Sequence, residues 1–305
     1  MLTVQRRLEK FKLEAPITYK EPLAELTTFR VGGPAEVLAR PQSVEQASAV
    51  LAAAASESIP VFVLGGGANI VVSDRGISGL VLYTGDMRNV STAGSIFRAE
   101  AGSPISDVAA TAANWELRGL DFIFAMPGSV GGAVWMNARC YGGEIASILR
   151  RVEYLHSDGT PGEYVVRPED FAYKISPFQD GKRVITAAEF NLTEVPGERD
   201  ALWHRMREIE EDRRAKGHFA APCAGSIFKN NRDYGEPSGK IIDRVGLRGL
   251  QNGNAMVSAG HGNIIINTGG ASAWDIRSLV TEVQKRVYRT TGFRLEPEVL
   301  FVGDW

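Results

Sequence analysis

Cysteine is scarce: Cys140 and Cys223 are the only two in 305 residues. Two such distant cysteines offer neither a disulfide framework nor a zinc-binding spacing. Histidine is almost as rare. His156, His204, His218 and His261 are too scattered to make a metal-ligand pattern, so no metal site is expected. A field of one sign is missing as well. The net charge of −2 gives no basis for binding nucleic acid or a membrane surface. The longest apolar stretches, such as 59–64 and 80–83, are far too short to cross a bilayer. The opening MLTVQRRLEKFKLEAP is charged throughout and lacks the apolar core of a signal peptide, so a cytoplasmic protein is expected. Nothing in the chain points to an obligatory protein partner.

What is present is an ordinary globular composition, 44% hydrophobic and 23% charged, long enough for two or three compact domains. The 33 glycines fall mostly in clusters, which suggests tight backbone turns near ligands rather than low complexity.

Residues 1–20 read as a short amphipathic helix and an extended approach. An α/β pattern follows. EVLARP is a strand, Ser43 caps an alanine-rich helix to about 57, and PVFVLG, IVVSD and GLVLY are further strands, ending a unit near 84. The segment 85–195 mixes the strands SIFRAEAG, RRVEYLH, GEYVVR and RVITAAEFNL with one helix around 105–117, and SDGT marks a hairpin. VPGE at 195–198 is a linker into a charged helix at about 199–216. Residues 217–292 predict a helix around 237–245, the strands AMVSAG and NIIINTG, and a long last helix. There Ser272 and Asp275 form a capping box, and Ile276, Leu279, Val280, Val283 and Val287 recur at helical spacing. The final FRLEPEVLFVG reads as an edge strand containing a proline.

Four places could carry chemistry. In LGGGANIVVSD, a strand runs into Gly65, Gly66 and Gly67, followed by Ala68 and Asn69. Backbone N–H groups there could approach a phosphate, though a plain tight turn explains the glycines equally well, and the spacing is not GxGxxG. MPGSVGGAVWMN supplies a second nest: Pro127, Gly128, Ser129, Gly131, Gly132 and, at its end, Asn137. Two glycine nests suit a dinucleotide whose pyrophosphate is held by amides from both sides. In CAGSIFKN, Ser226 precedes an apolar pair and then Lys229 and Asn230. With no GxSxG elbow, a Ser-His-Asp hydrolase is disfavoured, and a strand entrance with a capping serine is the plain alternative. Glu296 and Glu298 in LEPEVLF would share one face of a strand, as two edge carboxylates often do.

Taken in order, these segments resemble the UDP-N-acetylenolpyruvoylglucosamine reductase family, in its shorter subtype. The resemblance runs through TTFRVGGPA, LGGGANIVVSDRGISGLVL, LDFIFAMPGSVGGAVWMNARCYGGEI, FAYKISPF, CAGSIFKN, SGKIIDRVGLRG, NAMVSAGHGNIIIN and LEPEV. It implies an α+β chain with the FAD-binding fold of the vanillyl-alcohol oxidase type. Two flavin-binding α/β subdomains, 1–84 (with the C-terminal strand 293–305 returning near the active site) and 85–195, would accompany a substrate-binding domain at 196–292. The implied reaction is the reduction of an enolpyruvyl UDP-sugar in peptidoglycan synthesis, with FAD and NADPH as cofactors. A hydride would pass from reduced flavin N5 to the terminal enolpyruvyl carbon. An enolate-like charge would then build on the adjacent carboxylate, which a cation and a hydrogen-bond donor can stabilise.

By the same resemblance, Ser226 matches the serine that protonates the other carbon, and Glu298 matches the glutamate acting protonated or through a shared proton. Tyr173 matches the family's tyrosine. Arg213 and Lys216 match a basic pair that holds nucleotide phosphates, and Lys229 and Asn230 match residues that reach the UDP-sugar. Without the resemblance, Arg213 and Lys216 read as a solvated helix face. The chain departs from the pattern in several places. Lys174 stands for an arginine, keeping the charge but losing the two-pronged contact. Arg139 stands for a glycine, Ala68 for a serine, Leu300 for an arginine and Asn231 for a proline. Two other readings follow: an FAD-binding paralogue with weak or lost activity, or a sugar or hydroxy-acid oxidase of the same fold. Cys140 and Cys223 read as small buried fillers.

Overall fold

Local capping signals become helix starts in this chain. The structure, a computed structural model, describes residues 3–305. Seven α-helices are found among them: α1 (Val4–Leu8), α2 (Val44–Ser56), α3 (Ile105–Asn114), α4 (Val130–Trp135), α5 (Arg199–Ala215), α6 (Ser238–Arg244) and α7 (Ala273–Thr291). The Ser43 hydroxyl accepts the N–H of Gln46 and opens α2, which buries Ala47, Val50, Leu51, Ala53 and Ala54. On α7 the Ser272–Asp275 capping box is formed in both directions. Asp74 adds a second cap, its carboxylate accepting the N–H groups of Ala273 at 2.8 Å and Trp274 at 3.0 Å. The predicted stripe of Ile276, Leu279, Val280, Val283 and Val287 is buried. Each such side chain contributes about 1.5–3 kcal/mol by leaving water.

The chain divides into two compact units built from alternating segments. One holds the residues up to Lys20, Glu36–Gly66 and Gly79–Glu211. Its five-stranded sheet runs in the order Pro161–Val165, Leu149–His156, Arg183–Asn191, Ile96–Glu100 and Val90–Ala93, antiparallel throughout. The hairpin predicted at SDGT joins the first two. Phe97, Val152, Ile185 and Phe190 of the sheet pack with Val108 of α3 and Val134 of α4 in one core. Charged residues of these strands pair across the sheet: Arg98 with Glu153, and Arg150 and Arg151 with Glu189. Hydrogen bonding from Arg151, then Arg150, holds the Glu189 carboxyl below the usual carboxylate range. In the sheet beside α2, Val61–Leu64 pairs in parallel with Ile77–Tyr83.

The other unit holds Glu21–Ala35, Gly67–Ser78 and Asp212–Trp305. Ala255–Val257 pairs antiparallel with Ile265–Asn267, and Ile70–Val72 pairs in parallel with Leu300–Val302. Phe29, Val71, Ile227, Phe228, Ile241, Ile242 and the buried stripe of α7 fill its core.

Three expectations change. IVVSD does not join the strands that flank it in sequence. Its partner is the C-terminal strand, more than 200 residues away by number. FRLEPEVLFVG is a strand only at Leu300–Val302, with one isolated bridge between Phe228 and Pro297. Pro297 has no N–H for a ladder and restricts the residue before it, so Glu296 and Glu298 do not stand on a regular strand face. Finally, α4 begins inside the second glycine nest, where no helix is predicted. Among the described residues no helix is long and apolar enough to cross a membrane. Among them, too, no cluster of His, Cys, Asp and Glu could hold a metal ion.

Candidate active site

Gly65 and Gly66 of the first nest lie directly against the second nest within the first unit. Gly66 donates its N–H to the Ser129 hydroxyl oxygen at 3.2 Å, and Gly132 donates to the same oxygen at 3.3 Å. A Cβ on Gly66 would stand 2.7 Å from Gly128 Cα, and one on Gly65 would stand 2.6 Å from Ser129 Oγ. Only glycine permits this approach. Ser129 is buried and serves as N-cap of α4. Its oxygen already accepts twice, so the hydroxyl proton is left to donate to a ligand oxygen. That suits the phosphate of a dinucleotide. Gly67, at φ +59°, Ala68 and Asn69 belong to the second unit.

Asn137 closes the second nest and reaches further. It is buried, accepts the N–H of Ala146 at 3.0 Å and donates from Nδ2 to the Ala172 carbonyl at 3.0 Å. Ala172 and Ile175 exchange backbone hydrogen bonds, so Tyr173 and Lys174 are the two central residues of a tight turn. Lys174 sits there at φ +60°, a left-handed conformation that costs a side-chain-bearing residue roughly 1–2 kcal/mol. Gln179 holds the turn: its Nε2 donates to the carbonyls of Lys174 (3.0 Å) and Trp135 (2.8 Å). Lys174 Nζ lies 5.9 Å from the Tyr173 ring centroid. The structure therefore joins Tyr173 and Lys174 to the Pro127–Asn137 segment, which neither pattern nor spacing suggests.

In the second unit, Ser226 and Glu298 lie on adjoining backbone segments. Ser226 makes an isolated bridge with Ile264, and the next residue, Ile227, accepts the N–H of Glu298 at 2.7 Å. Asn69 holds the same glutamate, donating from Nδ2 to its carbonyl at 3.0 Å. Lys229 pairs with Glu296 at 2.5 Å, so the two carboxylates have different surroundings. Asn230 Oδ1 accepts the N–H of Ser238 at 2.9 Å, tying the segment to the start of α6.

Arg213 is buried, which corrects the solvated-face reading for that residue, whereas Lys216 is exposed and pairs with Asp212. Neither cysteine is in a disulfide. Their thiols point at the backbone carbonyls of Phe122 (Cys140) and His218 (Cys223), and burial pushes the Cys223 thiol up. Sequence reasoning assigned no role to Gln179, His261 or Asn263, which support the candidate residues. The one signal for Asn263 is a polar residue standing directly before the apolar run Ile264–Ile266.

Comparison with known proteins places this geometry. The FAD binding domain family matches residues 35–162, which span both glycine nests. The C-terminal domain of UDP-N-acetylenolpyruvoylglucosamine reductase matches residues 217–302, which span Ser226 and Glu298. The reductase of that name from Treponema denticola is 40% identical over 96% of this chain and 95% of its own. The one from Carboxydothermus hydrogenoformans is 40% identical over 96% of each chain. The crystal structure of the Thermus caldophilus reductase superposes with a TM-score of 0.78 at 33% identity, covering 95% of this chain and 99% of that one. This chain therefore belongs to the UDP-N-acetylenolpyruvoylglucosamine reductase family and is an FAD-dependent oxidoreductase of α+β fold.

Proposed function

We propose that the protein reduces UDP-N-acetylglucosamine enolpyruvate to UDP-N-acetylmuramate for peptidoglycan synthesis, with NADPH as reductant, in the cytoplasm. The observation that carries the reading is the backbone junction of Ser226 with Glu298 through Ile227, in a chain whose other unit holds the paired glycine nests. The flavin, when bound, supplies the reducing equivalents. Ser129 would offer its hydroxyl proton to the flavin's phosphates; Gly66 and Gly132 hold that hydroxyl through their N–H groups, and Gly65, Pro127, Gly128, Gly131 and Asn137 shape the two nests. Gly67, Ala68 and Asn69 continue the first nest.

Ser226 donates a proton to the substrate carbon that bears the carboxylate. A serine hydroxyl is a weak acid, but an enolate is a strong base and the transfer is local. Glu298 shares a proton with the same intermediate, and the family pattern assigns Tyr173 and Lys174 as the hydrogen-bond donor and the cation for its carboxylate charge. Arg213, Lys216, Lys229 and Asn230 orient the UDP-sugar. In this scheme 1–84 and 85–195 serve the flavin and 196–292 the substrate.

The spectrum tests the whole reading. Purified protein is expected to show flavin absorption, to bleach with NADPH and to recolour when the enolpyruvyl substrate is added without oxygen. Bleaching without recolouring supports instead a paralogue with lost activity, the reading that Lys174, Arg139 and Leu300 motivate.

Lys174 has its own test. If its charge is needed in the transition state, Lys174→Ala lowers kcat and kcat/KM together by about 10²-fold, with KM little changed. Lys174→Arg retains or raises the rate, because it restores the two-pronged contact with a carboxylate. An alanine variant with parental turnover removes Lys174 from the site and turns attention to Arg139.

A further inference from the structure

A buried amide stands behind Ser226, and no step above uses it. Asn263 lies between the strands Ala255–Val257 and Ile265–Asn267. Its Oδ1 accepts the N–H of Phe228 at 2.9 Å and its Nδ2 donates to the Phe228 carbonyl at 2.8 Å. Its own carbonyl accepts the N–H of Ile227 at 2.9 Å. One residue thus satisfies three backbone groups just after Ser226. From the other edge, the carbonyl of Ile227 accepts from Glu298 and the N–H of Lys229 donates to Glu296.

Asn263 is held in turn by His261, whose Nδ1 accepts the Asn263 N–H at 3.1 Å. A ring nitrogen that accepts an N–H carries no proton, so the neutral ring has its proton on Nε2. The ring packs against the first turn of α6, where a Cβ on Gly239 would stand 3.1 Å from His261 Cε1. The charged and titratable groups around it are Asp243 from α6, Arg248, Lys216 and His218, whose ring centroid is 6.2 Å away. Asp243 is paired with Arg248. Burial pushes His261 below the ordinary histidine range; Asp243 opposes this, and Arg248 and Lys216 add to it. His218 is pushed down to about 4, first by burial and then by Arg213, His261 and Lys216. Neither ring adds a positive charge near neutral pH.

We propose that His261 and Asn263 are positioning residues for Ser226: the Nδ1 acceptor of His261 orients Asn263, and Asn263 places the serine hydroxyl by fixing the backbone from Ile227 to Phe228. The inference rests on Ser226 as proton donor. Protonating His261 at Nδ1 turns its acceptor into a donor facing the Asn263 N–H, so the clamp loosens as pH falls. Because the ring titrates lower than usual, the loss falls on the acid side of about pH 6.5, the ordinary histidine value.

The two half-reactions of the intact flavoprotein, followed separately by rapid mixing, test this. Asn263→Ala is expected to bleach with NADPH at the parental rate and to recolour with substrate about 10²-fold more slowly, the scale of a ~1 Å misplacement. His261→Ala slows recolouring in the same direction. His261→Asn recovers most of that loss, since its Oδ1 can accept the N–H two residues on, and it abolishes the acid-side fall. Should Asn263→Ala not fold, the two His261 variants decide. Parental recolouring in Asn263→Ala, no recovery in His261→Asn, or an unchanged acid limb in that variant overturns the proposal. Ser226→Ala separates the layers: slow recolouring there with unaffected clamp variants sinks only the clamp. Parental recolouring in Ser226→Ala sinks the proton-donor reading and the clamp together.

Discussion

Ser226→Ala protein is expected to bleach with NADPH at close to the parental rate and to recolour with the enolpyruvyl substrate about 10²–10⁴-fold more slowly, the usual worth of a general acid. The asymmetry follows from where a proton is needed. Flavin reduction by NADPH asks nothing of a serine in the second unit. Product formation needs a proton on the carbon beside the carboxylate, and Ser226 is the hydroxyl carried by the segment that bonds Glu298. Water replaces a missing general acid poorly, because it must be ordered for each turnover. Removing one hydroxyl leaves the segment's backbone bonds to Asn263, Glu296 and Glu298 in place, so folding is not at stake. If both half-reactions slow equally, Ser226 is structural and the assignment fails. A normal recolouring rate would pass the role to Glu298, whose Gln variant becomes the next measurement.

Gly66→Val should give colourless protein. The Cβ of any residue at 66 meets the Gly128–Ser129 peptide backbone, with Gly128 Cα at 2.7 Å and the Gly128 carbonyl carbon and Ser129 nitrogen at 2.8 Å. No rotamer relieves a clash with backbone, so the nests must separate, and the Gly66 hydrogen bond to Ser129 goes with them. Circular dichroism is expected to stay parental, since the cores on either side take no side chain from residue 66. Ser129→Ala tests the same site without a backbone clash, removing the acceptor of the Gly66 and Gly132 N–H groups together with the donor. Losing the hydroxyl's bond to a charged phosphate is expected to cost roughly 1.5–3 kcal/mol of FAD affinity. Full flavin occupancy in Gly66→Val would falsify the nest reading and leave the three glycines as a turn.

Much of the local structure is legible in the residues themselves. Ser43, the Ser272–Asp275 box, the SDGT hairpin and the stripe on α7 act through neighbours within a few positions, so periodicity and capping chemistry suffice to read them. The glycine nests are legible as compositions, and the ordered motifs carry the family. Other features are not. Helix α4 has six residues, two of them glycine, and is too short and too glycine-rich to announce itself by periodicity. A strand over Glu296–Val299 is suggested by alternation and cancelled by Pro297.

By itself the sequence determined most of the helices and the capped starts of α2 and α7, which loops are rich in bare backbone, and to which family the order of motifs belongs. Only the tertiary structure decided which of those segments meet. It put Gly66 against Ser129, paired Ile70–Val72 with Leu300–Val302, fastened Tyr173 and Lys174 through Asn137 and Gln179, and set Asn263 behind Ser226. The reason is physical. A capping hydroxyl or an apolar stripe acts on residues a turn away, and its signal is written beside it. A buried amide such as Asn263 is chosen by backbone groups some 35 positions distant in the chain, and no local pattern records which unpaired N–H it will satisfy.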